Sequence, residues 1–282
     1  MNYQEIAYDM SDRVATITLN RPDRLNALTL RTTAELREAV LAAEADAEVR
    51  VIVITGAGRG FSAGADISSL GELAGGKSHR LAEEAEDYGR SASERDLAAR
   101  EGTREDFRRE HSFLPGISKP VVAGVNGAAA GLGMVIALYA DMRIASERAR
   151  FTTAFAQRGL IAEYGIAWIL PRLVGLGQAI DLTFSGRIVG AEEALRMGLV
   201  SRVVPHEGFG AELHGIAADL ALRSSPRSLR VMKRQLYDAQ FESLAESYDT
   251  AVAEMLESFG SEDFGEGVAH WQEKRDPAFS GK

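Results

Sequence analysis

The sequence contains no cysteine, and this absence excludes several kinds of chemistry. Without a thiol the chain cannot build a disulfide framework, a thiolate metal site or a cysteine nucleophile. It also lacks an excess of positive charge: the formal net charge of -9 at pH 7 disfavours general binding to nucleic acid or to an anionic membrane. A polyanionic small molecule would therefore need a local basic patch on an otherwise acidic protein.

Long hydrophobic runs are almost absent as well. Residues 1–10 are polar and have no apolar signal core, so a cytoplasmic location is expected. Residues 121–140 are apolar or small over about the length of a membrane span. Glycines and Asn126 interrupt this stretch, which favours a buried strand, a glycine loop and a buried helix over a membrane span.

What is present is the composition of an ordinary globular protein. Hydrophobic residues make up 45% and charged residues 26% of the 282 residues, which argues against overall disorder. This length can bury a large core, either as one big domain or as a domain with a helical appendage.

Up to about residue 205, predicted strands alternate with predicted helices, a pattern typical of α/β architecture. Residues 32–43 predict a helix, because apolar residues recur on one face and Thr32 with Glu35 resembles a capping box. Apolar or β-branched runs predict strands over residues 13–19, 50–55, 121–125 and 199–204.

From residue 206 onward the pattern becomes helical. Ser225-Pro226 marks a helix start, and no convincing strand follows it. We therefore expect an α/β core over residues 1–205 and a C-terminal helical region over residues 206–282. The helical region must pack either on its own core or on a neighbouring subunit.

Residues 69–112 differ from their surroundings, because they are dense in Glu, Asp and Arg and contain few large apolar side chains. Two interpretations are open: a solvated helical excursion, or a lid over a pocket, since long segments between core elements often serve as lids.

Two glycine-rich turns follow the two most buried predicted strands, at residues 61–67 and 126–133. Small residues let a ligand approach the main chain, and the start of a helix leaves N–H groups without acceptors. Two such loops directed at one point would form an oxyanion hole. Alternatively, the glycines only permit tight packing of strand against helix.

Four segments, in the same order, resemble the crotonase (enoyl-CoA hydratase/isomerase) family. The first is RVIVITGAGRGFSAGADI, and the second begins at Lys119-Pro120-Val121 and ends at Ala140-Asp141-Met142. The other two are the turn NRP with LNAL near residue 20 and the section from Ser185 to Val200. The likeness covers roughly residues 5–205 and the tail near Lys274.

The resemblance implies a crotonase-like spiral of repeated ββα units, with a C-terminal helical region that builds homotrimers or hexamers. It implies that the N–H groups of Ala65 and Leu132 are oxyanion donors. The family usually has glycine at the second position; Leu132 keeps the N–H but adds a side chain that can narrow the pocket.

The resemblance also implies an acyl-CoA substrate and no permanently bound cofactor or metal, because coenzyme A enters as part of the thioester. Lys274 matches a lysine that reaches the nucleotide phosphate from a neighbouring subunit. For Arg24 and Lys274, the alternative is an ordinary solvated surface charge. The implied coenzyme A contacts are Arg24, Leu25, Ala27, Ala63, Asp66, Ile67 and Lys274.

The acid/base group is where the sequence departs from classical hydratases, which carry two glutamates. The matching positions are Val135 and Phe155, and neither can transfer a proton. A third family position falls on Glu163, whose pKa should be raised if it is buried. One carboxylate can take a proton from one carbon and return it two carbons away, so we expect double-bond isomerisation.

Several alternatives remain open at this point. Glu163 could instead position water for enoyl-CoA hydration or for hydrolytic cleavage of a cyclic ketone thioester. It could also be a helix-capping or solvent-exposed carboxylate, in which case the chain could be a non-catalytic acyl-CoA-binding scaffold. Tyr164 either assists by hydrogen bonding or only packs.

A serine hydrolase is the rival from another enzyme class, since residues 60–64 satisfy G-x-S-x-G around Ser62. A nucleophile elbow places its serine directly after a strand, whereas about six residues separate Thr55 from Ser62. The histidines show no partner pattern either. A dinucleotide-binding G-x-G-x-x-G fails because Phe61 stands where glycine is required.

Overall fold

The computed structural model describes residues 2–66 and 103–282. Ile67 and the first part of the charged segment, residues 69–102, lie outside the described residues, so the choice between an excursion and a lid stays a prediction. Residues 103–112 of that segment are described.

Within residues 2–66 and 103–282, ten strands form two sheets. The larger sheet has the order β1-β2-β3-β5-β7-β10, in which β1 and β2 are antiparallel and the other neighbours are parallel. The smaller sheet has the order β4-β6-β8-β9. The strands are β1 Ile6–Ser11, β2 Val14–Leu19, β3 Val51–Gly56, β4 Gly60–Ser62, β5 Val121–Val125, β6 Ala128–Ala130, β7 Met142–Ser146, β8 Arg150–Thr152, β9 Val189–Gly190 and β10 Arg202–Val204.

Helices cover both faces of the larger sheet. No helix among the described residues is long and apolar enough to cross a membrane. In the described part of the chain, the helices longer than one turn are α1 Leu30–Ala45, α2 Leu132–Tyr139, α3 Ile166–Val174, α4 Leu176–Ser185, α5 Ala191–Arg196, α6 Phe209–Arg223, α7 Pro226–Asp238, α8 Leu244–Phe259 and α9 Glu262–Glu273.

The central strands β2, β3 and β5 are buried along nearly their whole length, as is typical of parallel strands covered on both faces. Successive side chains of β3 point to opposite faces of the larger sheet. Ile52 and Ile54 belong to the main core with Leu36 of α1, whereas Val51 and Val53 pack in a second cluster with α6. The predicted α/β architecture is confirmed, and it follows from this two-sided burial.

The predicted capping box of α1 is wrong, because the helix begins two residues earlier, at Leu30. Thr29 is the N-cap: its hydroxyl accepts from the Thr32 amide at 3.0 Å, and the Thr32 hydroxyl accepts from the Thr29 amide at 3.3 Å. The Glu35 carboxylate accepts instead from the amides of Gln4 and Glu5, at 3.1 and 2.8 Å. Glu35 therefore fastens the entry to β1, a strand that the sequence did not predict.

The helix start predicted at Ser225-Pro226 is confirmed. Ser225 caps α7 by accepting a hydrogen bond of 3.0 Å from the Ser228 amide, and Pro226 occupies the first helical position. Lys233 joins this helix to the core, since its ammonium lies 2.7 Å from the Asp141 carboxylate and donates to the Leu114 carbonyl at 3.0 Å. The helical region thus packs partly on the core of its own chain.

Candidate active site

The two predicted glycine loops lie side by side because the strands that lead into them are neighbours. β4 pairs with β6 in parallel, with Gly60 opposite Ala128 and Ser62 opposite Ala129. The carboxyl ends of both strands consequently face the same edge of the smaller sheet. The loop after β4 carries Ala65, and α2 starts just after β6.

Gly64 shows how closely the two loops approach each other. Its φ of +92° lies in the left-handed half of conformational space, and a methyl group on its Cα would lie 2.7 Å from the Ala130 carbonyl oxygen. The same methyl group would lie 3.4 Å from the Leu132 amide nitrogen. The main chain beside Ala65 therefore contacts the main chain at the start of α2.

The Ala65 amide points away from Leu28, the residue whose main chain is hydrogen-bonded to Gly64 and Asp66 on either side of Ala65. Leu28 donates to the Gly64 carbonyl at 2.8 Å and accepts from the Asp66 amide at 3.0 Å. In a parallel bridge of this kind, the N–H and C=O of the residue between the two bonded groups point away from the partner segment. Leu28 thus holds the loop in place and leaves the Ala65 amide available on the other side.

The Leu132 amide is available for a different reason. Leu132 is the first residue of α2, and the first amides of a helix have no intrahelical acceptor. Within residues 2–66 and 103–282, neither the Ala65 amide nor the Leu132 amide donates a hydrogen bond. Two main-chain donors without acceptors therefore lie on loops that contact each other. The positive end of the α2 dipole strengthens the attraction of this site for an anion.

The positions that match the two hydratase glutamates carry the apolar side chains of Val135 and Phe155. Val135 is fully buried in α2, and Phe155 is 5% exposed in the loop after β8. Both belong to the main core, together with the side chain of Leu132. No proton can be transferred from either position.

Glu163 lies in the loop before α3 and is partly buried. Burial raises the pKa of its carboxyl group above the ordinary value of glutamate. No group in the described part of the chain donates a hydrogen bond to this carboxylate, and Gly165, the N-cap of α3, receives no side-chain cap. Glu163 therefore does not cap the helix through its side chain; only its main-chain carbonyl accepts, from the Ile166 amide at 3.0 Å.

Four of the predicted coenzyme A contacts are brought together around the first glycine loop. The Ala63 amide donates to the Leu25 carbonyl at 2.9 Å. The Arg21 guanidinium donates to the Ala27 carbonyl at 2.5 Å and to the Asp66 carboxylate at 3.0 Å. Arg21 was not among the predicted site residues, although its place in the NRP turn beside this loop was a usable signal.

The remaining predicted contacts are placed differently. Arg24 is exposed at the end of a short 3-10 helix, Pro22–Arg24, next to this loop. Lys274 follows α9 and lines a separate cavity of about 510 Å³ with Trp271 and Arg275. No contact in the described part of the chain joins Lys274 to the other predicted residues, and Ile67 lies outside that part.

Ser62 has a structural role in the described chain. Its side chain is completely buried, and the hydroxyl donates to the Asn26 carbonyl at 2.8 Å and accepts from the Gly64 amide at 3.2 Å. Asn26 in turn donates through its side chain to the Gly60 carbonyl at 2.8 Å. Ser62 and Asn26 therefore shape the first glycine loop, and no described histidine contacts this serine.

Sequence reasoning did not predict a cavity of about 660 Å³ beside the Glu163 loop. Tyr164 and Gly165 form one side of it, and the described part of the charged segment, including Glu110 and His111, forms another. Its lining comes from segments far apart in the chain, so local sequence patterns carried no signal for it.

The comparisons with known proteins agree with this architecture. The sequence profile described as enoyl-CoA hydratase/isomerase matches residues 9–92 and 87–282. A probable enoyl-CoA hydratase EchA12 of Mycobacterium tuberculosis is 37% identical over 95% of this chain and 89% of its own length. A 1,2-epoxyphenylacetyl-CoA isomerase of Escherichia coli is 34% identical over 95% of both chains.

Solved structures give the same result. The enoyl-CoA hydratase of Bacillus anthracis superimposes with a TM-score of 0.84 at 29% identity, covering 99% of this chain and 100% of the other. A putative enoyl-CoA hydratase of Streptomyces coelicolor superimposes with a TM-score of 0.84 at 31% identity, covering 100% and 96%. In this family coenzyme A is part of the substrate. The chain is thus an acyl-CoA enzyme of the enoyl-CoA hydratase/isomerase family, with the crotonase fold.

Proposed function

We propose that the protein isomerises the double bond of an enoyl-CoA thioester through an enolate held by the amides of Ala65 and Leu132. The observation that carries this proposal is the pairing of two acceptor-free amides with a single carboxylate. Val135 and Phe155 replace both hydratase glutamates with buried hydrocarbon, so Glu163 is the acid/base group that remains at the family's positions.

The reaction starts from a 3-enoyl thioester. The Glu163 carboxylate removes a proton from C2, and the electron pair delocalises onto the thioester oxygen. The two amides donate hydrogen bonds to that oxygen, each contributing about 3–4 kcal/mol to the transition state. Glu163, now protonated, returns the proton to C4, and the double bond moves from C3–C4 to C2–C3. A pKa raised by burial suits a group that must both accept and return the proton.

Coenzyme A is proposed to lie along the turn and the first glycine loop. Leu25, Ala27, Ala63 and Asp66 are joined there by main-chain and arginine hydrogen bonds, and exposed Arg24 supplies positive charge for the phosphates. The same proposal assigns Ile67 to this surface.

Lys274 is proposed to reach the nucleotide of a neighbouring subunit in a homotrimer or a hexamer. The helices α7 to α9 support such an assembly, because they expose large apolar side chains that a monomer leaves in water: Leu236 is 71%, Leu244 85% and Trp271 80% exposed. A partner that covers these helices would bury them.

Hydration is the second candidate, since several relatives are named probable enoyl-CoA hydratases. In hydration, or in hydrolytic cleavage of a cyclic ketone thioester, Glu163 would position water instead of shuttling a proton. A non-catalytic scaffold would bind thioesters and convert none.

A panel of 2-enoyl and 3-enoyl thioesters separates these candidates, with products identified by mass spectrometry and NMR. Isomerisation leaves the mass unchanged and changes the chemical shifts of the vinyl protons, whereas hydration adds the mass of one water. Conversion of 3-enoyl to 2-enoyl thioester supports the proposal. Formation of 3-hydroxyacyl thioester as the main product from a 2-enoyl substrate, with no isomerisation, overturns it.

A further inference from the structure

The cavity beside the Glu163 loop combines aromatic walls with a polar end. Its volume of about 660 Å³ lies within the range of small-molecule sites and exceeds the space that a short acyl chain requires. The aromatic lining consists of Phe107, Tyr139, Tyr164, Trp168 and Phe241. The polar lining consists of Glu105, Asp106, Arg109, Glu110, His111 and Ser112; Glu110 and His111 are called the polar end below.

His111 is buried but has no hydrogen bond in the described part of the chain. Its side chain is only 8% exposed, and it lines the cavity. Burial, with the nearby Arg37 charge, lowers the pKa of His111 to about 4, so the imidazole is neutral at pH 7. A neutral imidazole carries one N–H donor and one acceptor nitrogen. Both remain to be satisfied by a ligand or by water.

The Glu110 carboxylate also has no hydrogen-bond partner in the described part of the chain. The His111 Nε2 lies 3.7 Å from the carboxylate, beyond hydrogen-bond distance. Because His111 is neutral, it does not compensate the charge of Glu110. Burial raises the pKa of Glu110, and the Arg37 charge opposes this shift only in part. No described group donates a hydrogen bond to this carboxylate. The Glu110 carboxylate therefore presents to the cavity an acceptor that no described group satisfies.

Tyr164 connects this polar end to the proposed acid/base group. The His111 and Tyr164 rings meet edge to face with centroids 4.5 Å apart, and Tyr164 follows Glu163 in the chain. Burial raises the pKa of Tyr164, and the negative charges of Glu163 and Glu110 raise it further, so its hydroxyl lies within the field of both carboxylates. Glu110 and His111 thus line a cavity that adjoins the Glu163 loop through Tyr164 and Gly165.

We infer that Glu110 and His111 recognise a hydroxyl group on the distal part of the acyl chain, so that the enzyme's preferred substrates are hydroxylated enoyl thioesters rather than plain alkyl ones. This inference rests on the proposed function. A hydroxyl donates to the Glu110 carboxylate and exchanges a second hydrogen bond with His111. A plain alkyl chain would remove water from both groups and form no hydrogen bond with them. Desolvating a polar group without replacing its hydrogen bonds weakens binding strongly.

The test compares 3-enoyl-CoA thioesters of six, eight and ten carbons with partners that carry a terminal hydroxyl. Dissociation constants are measured by calorimetry on the Glu163→Gln protein, which should bind without turnover, and kcat/KM on the unmodified protein. At the best chain length, the hydroxylated thioester should be favoured by about 10- to 100-fold, the range of a hydrogen bond to a charged group.

Two variants locate the preference. Glu110→Gln keeps an acceptor without charge and should retain a several-fold preference, whereas Glu110→Leu should abolish or reverse it. Glu192→Gln, which removes an exposed carboxylate on α5, is the matched control and should leave the preference unchanged.

Equal affinity for both members of every pair, or a preference that survives Glu110→Leu, overturns the inference. If the plain thioesters are bound and isomerised as well as the hydroxylated ones, only this inference fails and the proposed function stands. If no enoyl thioester binds, the proposed function fails and the inference fails with it.

Discussion

The Tyr139 hydroxyl donates a hydrogen bond of 2.9 Å to the main-chain carbonyl of Tyr164. Tyr139 is the last residue of α2, whose first residue is Leu132, and Tyr164 is the neighbour of Glu163. One short helix therefore carries a proposed oxyanion donor at its start and holds the proposed acid/base loop at its end. The spacing between donor and base is set by this helix.

Tyr139→Phe tests that arrangement. The Tyr164 carbonyl would lose its donor, so the free energy of unfolding should fall by about 1 kcal/mol. Displacement of Glu163 should lower kcat by about 10-fold, with little effect on KM. Urea denaturation and steady-state kinetics measure the two effects. Tyr248→Phe, at an exposed position on α8, is the control. Unchanged kcat in Tyr139→Phe would show that the hydrogen bond does not position the base.

Glu163→Gln removes the proton shuttle and changes the shape of the side chain very little. Turnover of 3-enoyl thioesters should fall by about 10²–10⁴-fold, the contribution typical of general acid–base catalysis. The dissociation constant measured by calorimetry should stay within a few-fold of the unmodified value. Glu192→Gln should behave like the unmodified protein. Full activity in Glu163→Gln would remove this residue from the mechanism.

Gly64→Ala tests the approach of the two loops. The new methyl group would lie 2.7 Å from the Ala130 carbonyl oxygen, at a φ that disfavours alanine, so the loops must separate. The free energy of unfolding should fall by about 1–3 kcal/mol, and kcat by about 10²-fold or more because one amide moves off target. Gly210→Ala on α6, where nothing lies within 4 Å, should be neutral or slightly stabilising.

Urea denaturation measures the free energy of unfolding of both glycine variants, and steady-state kinetics measures their kcat. If Gly64→Ala folds with unchanged kcat, the contact between the loops has no part in catalysis.

The pH dependence of kcat/KM should show the raised pKa of Glu163. The carboxylate form removes the substrate proton, so the rate falls as pH drops through the pKa of this group. Because burial disfavours the charged form, that pKa lies above 4.5, and the loss of activity should begin at a higher pH than for a glutamate in water. Circular dichroism at each pH controls for unfolding. A rate that stays flat down to pH 4.5 would contradict the raised pKa.

Sequence reasoning predicted the buried parallel strands and the two glycine loops, because these features have strong local signals. A continuous apolar run such as β5 indicates a strand covered on both faces, and small residues after it indicate close approach of main chains. β1 was missed because most of its side chains are exposed and it depends on pairing with β2 and on the Glu35 carboxylate. The α1 cap was misassigned because Thr29 and Thr32 compete for one motif.

The site was predicted less completely than the fold. Ala65, Leu132 and Glu163 were proposed as site residues only through the family resemblance, since the sequence does not show which main-chain amides are free to donate. The lid interpretation of residues 69–112 implied a pocket beneath them, but the position of the cavity lined by Glu110, His111 and Phe241 had no local signal, because it forms where the charged segment, the loop before α3 and the turn after α7 meet. Arg21 was overlooked although it lies in the NRP turn, since its carboxylate partner Asp66 lies in a different loop.

Infrared spectroscopy of a bound thioester labelled with carbon-13 at its carbonyl tests the pair of amides most directly, because proline is the substitution that removes a main-chain N–H and it also constrains the backbone. With Glu163→Gln saturated by the labelled 3-enoyl thioester, hydrogen bonds from Ala65 and Leu132 should shift the carbonyl stretch to lower frequency than in water. Gly64→Ala should reduce that shift. A carbonyl frequency equal to that of the free thioester at full saturation would contradict the account.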